Sequence, residues 1–155
     1  MNDDFERLVR HEFQFLVDDY RFQIIDVEKT NYGCLVWYKN QFTVVRVSLE
    51  IYDGGMFVTI YRLRDGSIPE YPVFFDPAAE FLIFDLNDLA IIRTGKKVEQ
   101  DGELIYDKHY LEAKVKEFAS LLKSNGADIL SGDFSVLPQI KERVARRAKE
   151  LEDER

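Results

Sequence analysis

Apolar residues recur at intervals of three and four from Phe5 through Leu8, Val9, Phe13 and Leu16 to Tyr20, which predicts one amphipathic helix over Asp3 to Tyr20. Asp3, Asp4 and Glu6 fall in its first turn, where acids complement the helix dipole. From Cys34 to Leu63 the period changes to two. Cys34, Val36 and Tyr38 alternate with other residues in one run, Val45, Val47, Leu49 and Ile51 in a second, and Met56, Val58 and Ile60 in a third. Asp53-Gly54-Gly55 separates the last two runs and reads as a tight hairpin turn, with Lys39-Asn40-Gln41 as a weaker turn before it. A two-residue turn at Asp53-Gly54 pairs Ile51 with Met56, Leu49 with Val58 and Val47 with Ile60. A slip of two residues would leave the same side chains on the same face. That face is the predicted core.

The opposite face is not the polar surface expected of a one-sided antiparallel sheet. Its parity collects Leu35, Trp37, Phe42, Val44, Arg46, Ser48, Glu50, Phe57, Thr59, Tyr61 and Leu63. Either a later part of the chain, with Tyr71 to Phe84 as the candidate cover, or a partner must take up its aromatic residues. Trp37, Phe42, Arg46, Phe57 and Tyr61 are therefore the candidate partner-binding residues, since aromatic and arginine side chains dominate binding hot spots.

Before the meander, Arg21 to Thr30 reads as a further strand whose two faces are both mixed. After it, Pro69 and Pro72 impose extended backbone, and Tyr71 to Phe75 reads as an irregular sheet edge. Asp76-Pro77 suggests a short capped helix, and Asp85 caps a second over Leu86 to Arg93 that ends before Gly95. A long helix is expected over Tyr106 to Ser124, one more helical turn over Ala127 to Leu130, and a last helix capped by Ser135. The predicted fold is α+β: one domain over residues 1–155, with a four- to five-stranded antiparallel meander, an N-terminal helix, and C-terminal helices packed mainly on one face.

Net charge is −8 and is unevenly spread. Residues 65–107 hold ten acids and three bases, whereas residues 31–64 hold two acids and four bases. No basic stripe is present, which argues against a nucleic-acid partner. No apolar run suits a membrane span, and the N-terminus lacks a basic region followed by an apolar run, so the cytoplasm is the expected compartment. The lone Cys34 lies on the core face and reads as a small buried hydrophobe. His11 and His109 have no metal-ligand spacing, and no nucleotide-binding or nucleophile motif occurs, so neither metal nor cofactor is expected. The pairs Asp76/Glu80 and Asp85/Asp88 place carboxylates close together, although helix capping accounts for Asp76 and Asp85.

The string Gly132-Asp133-Phe134-Ser135 before the final helix resembles the C-terminal part of small, poorly characterised bacterial α+β proteins, and the layout of helix, aromatic meander and helices resembles acidic proteins of immunity type. That resemblance implies a non-catalytic protein that neutralises a basic bacterial toxin, and it carries no site residue across. From the residues alone, Gly132 serves a turn, Phe134 a packing anchor and Ser135 a cap. Two alternatives stand beside protein binding: a small enzyme or ligand-binding domain with a pocket between the sheet and residues 65–107, and a structural homodimer.

Overall fold

The computed structural model describes residues 1–154. Helices α1 (Asn2–Glu12) and α2 (Gln14–Tyr20) lead into strands β1 (Gln23–Thr30), β2 (Gly33–Lys39), β3 (Thr43–Glu50) and β4 (Gly55–Arg62). After an excursion come β5 (Ile83–Asp85) and α3 (Leu86–Thr94), then a 3-10 turn at Gly102–Tyr106, α4 (Lys108–Asn125), α5 (Ala127–Leu130) and α6 (Leu137–Asp153). The strands form one antiparallel sheet in the order β1-β2-β3-β4-β5. The fold is α+β, as the alternation of periods predicts.

Cys34, Val36, Tyr38, Val45, Val47, Leu49, Met56, Val58 and Ile60 are all buried and join Phe5, Val9, Phe13 and Leu16 of the first helices in one core. Ile51 is the exception on that face. It belongs to the four-residue connection between β3 and β4, not to the strand, and is half-buried. The register is accordingly displaced by two residues from the expected one: Leu49 pairs with Met56, Val47 with Val58 and Val45 with Ile60. Displacement by an even number keeps every side chain on its face.

Four local expectations are corrected. The first helix breaks for one residue at Phe13, which is fully buried, so α1 and α2 are separate. Asp76 starts no helix; its carboxylate accepts a hydrogen bond from the Ala78 amide, an Asx-type turn. Tyr71 to Phe75 forms no sheet edge, and the fifth strand is Ile83–Asp85. Ser135 does not cap α6. Its amide donates to the Asp133 carboxylate, and the helix begins at Leu137 with proline in its first turn. The capping role assigned to Asp85 holds, with the Asn87 amide donating to it, and Asp107 likewise caps α4, which starts at Lys108, two residues after the expected Tyr106.

Helices α1, α3 and α4 pack on the core face, and α6 packs behind α3. The Gly132 break docks on the β2–β3 turn. Thr43 Oγ1 donates to the Ile129 carbonyl at 2.8 Å, and Asn40 Nδ2 donates to the Leu130 carbonyl at 3.0 Å. Gly132 has φ of +94°, and a Cβ there would stand 2.7 Å from the Phe42 ring, so the position needs glycine for both conformation and space. Beyond the reach of β5, the outer edge of β4 is satisfied by the Gln100 amide, which accepts from the Met56 N–H at 2.7 Å and donates to its carbonyl at 2.8 Å.

Candidate functional site

The second face of the sheet is centred on Arg46. Trp37 pairs with Arg46 across β2–β3, and Arg46 with Thr59 across β3–β4, so these side chains share one row. The guanidinium carbon lies 5.4 Å from the Trp37 ring centroid, 5.7 Å from that of Tyr61 and 5.5 Å from that of Tyr71. Arg46 Nη2 donates to Thr59 Oγ1 at 3.3 Å, while its buried Nε has no partner. Among the described residues no carboxylate lies within ion-pairing distance of Arg46, so three aromatic faces serve as its counter-charge. Trp37 Nε1 donates to Glu28 at 3.1 Å, and Tyr61 is buried, which raises the pKa of its hydroxyl.

Of the five candidate partner-binding residues, the structure thus gathers Trp37, Arg46 and Tyr61. Phe57 lies further along the face, opposite Ser48, with its ring against Gly55. Phe42 sits apart in the β2–β3 turn against Gly132.

Tyr71 reaches Arg46 from the excursion between β4 and β5, which runs over residues 63–82 with neither helix nor strand. Connections of this length without secondary structure are commonly functional. It opens with a tight turn at Arg64–Ser67, in which Asp65 and Gly66 both have positive φ. Pro69 and Pro72 then keep the backbone extended, and Pro77 enters the turn that Asp76 closes. Its ends are tied to the sheet by the Leu63 amide donating to the Phe42 carbonyl and the Arg62 amide donating to the Leu82 carbonyl. Within it, an Arg64–Glu80 ion pair at 3.1 Å and the rings of Phe75 and Phe81, edge to face at 6.5 Å, close the loop. Between these anchors the chain presents Val73 and Phe74 to solvent, 99% and 74% exposed, next to Tyr71 at 58%. Sequence periodicity did not single out this crest. Its signal is the proline-spaced aromatic run Tyr-Pro-Val-Phe-Phe within an acidic segment.

Behind the crest lies a cleft of about 570 Å³ bounded by the excursion, β5, and the facing sides of α3 and α6. Five acids and two arginines line it. Asp88 on its floor is 3% exposed and receives Arg147 through two hydrogen bonds of 2.8 and 3.3 Å, with Arg143 Nε at 3.4 Å. Asp85 is half-buried and accepts only the Asn87 amide, at 2.7 Å; among the described residues no cation forms an ion pair with it, and Arg147 acts on it only at longer range. Burial, supported by the charge of Asp88, pushes the Asp85 carboxyl up to about 6 from its ordinary 3.8.

That shift has a sign. The folded state binds the Asp85 proton more tightly than the unfolded chain, so ionised Asp85 opposes folding fully above about pH 6, and the cost fades as pH falls toward 4. Asp85→Asn retains the capping oxygen and removes the charge. It is expected to stabilise the protein by about 1–3 kcal/mol at pH 8 and by little near pH 4. Urea unfolding at both pH values measures this. An equal difference at the two would refute the assignment.

The remaining chemistry-bearing residues lie apart. Cys34 is buried, which pushes its thiol up to about 11, away from nucleophilic use. His11 faces a shallow polar hollow between α1 and α4, lined also by Asp4, Glu12 and Lys116. Among the described residues no three His, Cys, Asp or Glu side chains gather as a metal site would require. No helix there is long and apolar enough to cross a membrane. No family model matches the chain, and neither a curated protein nor a solved structure is significantly similar to it.

Proposed function

We propose that this chain is a non-catalytic protein-binding domain that receives a basic partner on the Tyr71–Phe74 crest and the acidic cleft behind it. The observation that carries the reading is the crest itself. Two exposed apolar side chains, Val73 and Phe74, stand on a proline-stiffened excursion that is held at Tyr71 and Phe75. A stiff aromatic surface loses little conformational entropy on binding. Arg46 lies at the margin of this surface through its contact with Tyr71, and Trp37 packs against Arg46 in turn.

Charge selects the class of partner. The excursion and most of the cleft belong to the stretch with ten acids and three bases, and the cleft lining has five acids against two arginines, so a basic surface would be steered toward it. A second copy of the chain would bring like charge against like, which disfavours the homodimer. Catalysis by the Asp85/Asp88 pair is disfavoured because Asp88 is already engaged by two arginines. An immunity-type protein that covers a basic toxin, such as a nuclease, fits these features.

Val73→Ser with Phe74→Ser is expected to weaken partner binding at least about tenfold, the scale of a hot-spot loss, while changing stability by less than about 0.5 kcal/mol. Calorimetric titration against the purified basic products of neighbouring reading frames, beside urea unfolding, measures both quantities. A wild type that sediments as a dimer, and becomes monomeric in the double variant, would transfer the surface to self-association.

A further inference from the structure

The cleft behind the crest contains an unbalanced charge. Asp88 is paired with Arg147 and Arg143, and Glu80 with Arg64, whereas Asp85 has a single backbone donor and, among the described residues, no ion-pair partner, feeling Arg147 only at longer range. A partly buried carboxylate without a counter-ion is costly, and an incoming cation would recover that cost. The lining as a whole carries five acids against two arginines, so the cleft repels anions. Phe75, Phe81 and Tyr71 contribute aromatic wall to the same cleft. Carboxylate and aromatic faces together suit a planar guanidinium, which can be hydrogen-bonded at its edge and stacked on its face.

We infer that this cleft takes one basic side chain of the partner, an arginine, which inserts beside Phe75 and Phe81 and pairs with Asp85. The inference rests on the docking reading above and adds to it the residue the partner must supply. Asp85 can accept a charge-assisted hydrogen bond on its oxygen away from the Asn87 amide without losing its cap on α3. The crest, with Val73 and Phe74, then meets apolar residues flanking that arginine.

The test uses N-acetyl-arginine amide as probe and N-acetyl-citrulline amide, its neutral isostere, as control. Backbone amide shifts of the full chain are followed by NMR during titration. The arginine probe is expected to give saturable shifts confined to residues 74–76 and 81–88, and the citrulline probe to bind at least about tenfold more weakly. Asp85→Asn should weaken the arginine probe about tenfold, the scale of one charge-assisted hydrogen bond, and it keeps the helix cap so that the fold is preserved. Equal binding of both probes, an unchanged affinity in Asp85→Asn, or shifts that spread over the acidic surface without saturating would each overturn the inference. The two proposals fail separately. If the probe does not saturate the cleft while Val73→Ser with Phe74→Ser still abolishes partner binding, the docking surface stands and the arginine site falls. If the probe saturates the cleft while that double variant binds its partner normally, the crest is wrong and the site stands.

Discussion

Replacing Trp37 and Tyr61 together by serine is expected to cost about 4–6 kcal/mol, because truncation of a large buried aromatic alone costs about 3–5 kcal/mol. Tyr61 is fully buried, its ring centroid is 5.6 Å from that of Trp37, and both rings face the Arg46 guanidinium. Removing them strips Arg46 of two of its three aromatic neighbours and leaves a charge with a single weak hydrogen bond to Thr59. The loss is comparable to the whole stability of many domains, about 5–15 kcal/mol. Urea unfolding of the double variant measures it, with sedimentation of the wild type alongside. A loss below about 1 kcal/mol, with association abolished, would instead make Trp37 and Tyr61 part of the contact surface. That outcome would move the docking site from the crest onto the sheet.

Leu49→Ala is expected to destabilise by about 2–5 kcal/mol, the range for a fully buried leucine whose site cannot collapse. Leu49 is fully buried near the end of β3, the middle strand of the sheet, between Cys34 of β2 and Met56 of β4. Sheet neighbours on both sides limit relaxation into the cavity. Ile51→Ala gives the matching control. Ile51 carries the same face parity but lies in the β3–β4 connection, half-buried, and its truncation should cost less than about 1.5 kcal/mol. A loss below about 0.5 kcal/mol at Leu49, or a larger one at Ile51, would mean that the sheet is inverted or its register misplaced.

The sequence by itself determined the fold class and the faces of the meander. Strand side chains alternate with a period of two, so Cys34, Val36, Tyr38, Val45, Val47, Leu49, Met56, Val58 and Ile60 share one side for any register displaced by an even number of residues. It also determined α3, because Asp85 and Gly95 mark its ends with local chemistry: a capping carboxylate and a left-handed terminal residue.

Only the tertiary structure decided the rest, and in each case the cause lies far along the chain or in an irregular backbone. The mixed faces of β1 resolve at a bulge between Ile24 and Asp26. It leaves Ile25 exposed and returns Val27 to the side of Ile24, which a strict alternation cannot represent. Phe42 and Gly132 meet across most of the chain, so the glycine reads as a turn signal when its tighter constraint is an aromatic ring. The Asp88–Arg147 pair spans 59 residues, and Tyr71 stacks on Arg46 from a segment without periodicity. The candidate site is built from such contacts. Hydrophobic periodicity reports which side of an element is buried by its neighbours; it carries no information about an extended segment whose position is set by one ring over one guanidinium. Residues Tyr71 to Phe74 therefore became a surface only when the chain was folded, because partial burial of Phe75 and Phe81 against each other leaves Val73 and Phe74 facing water.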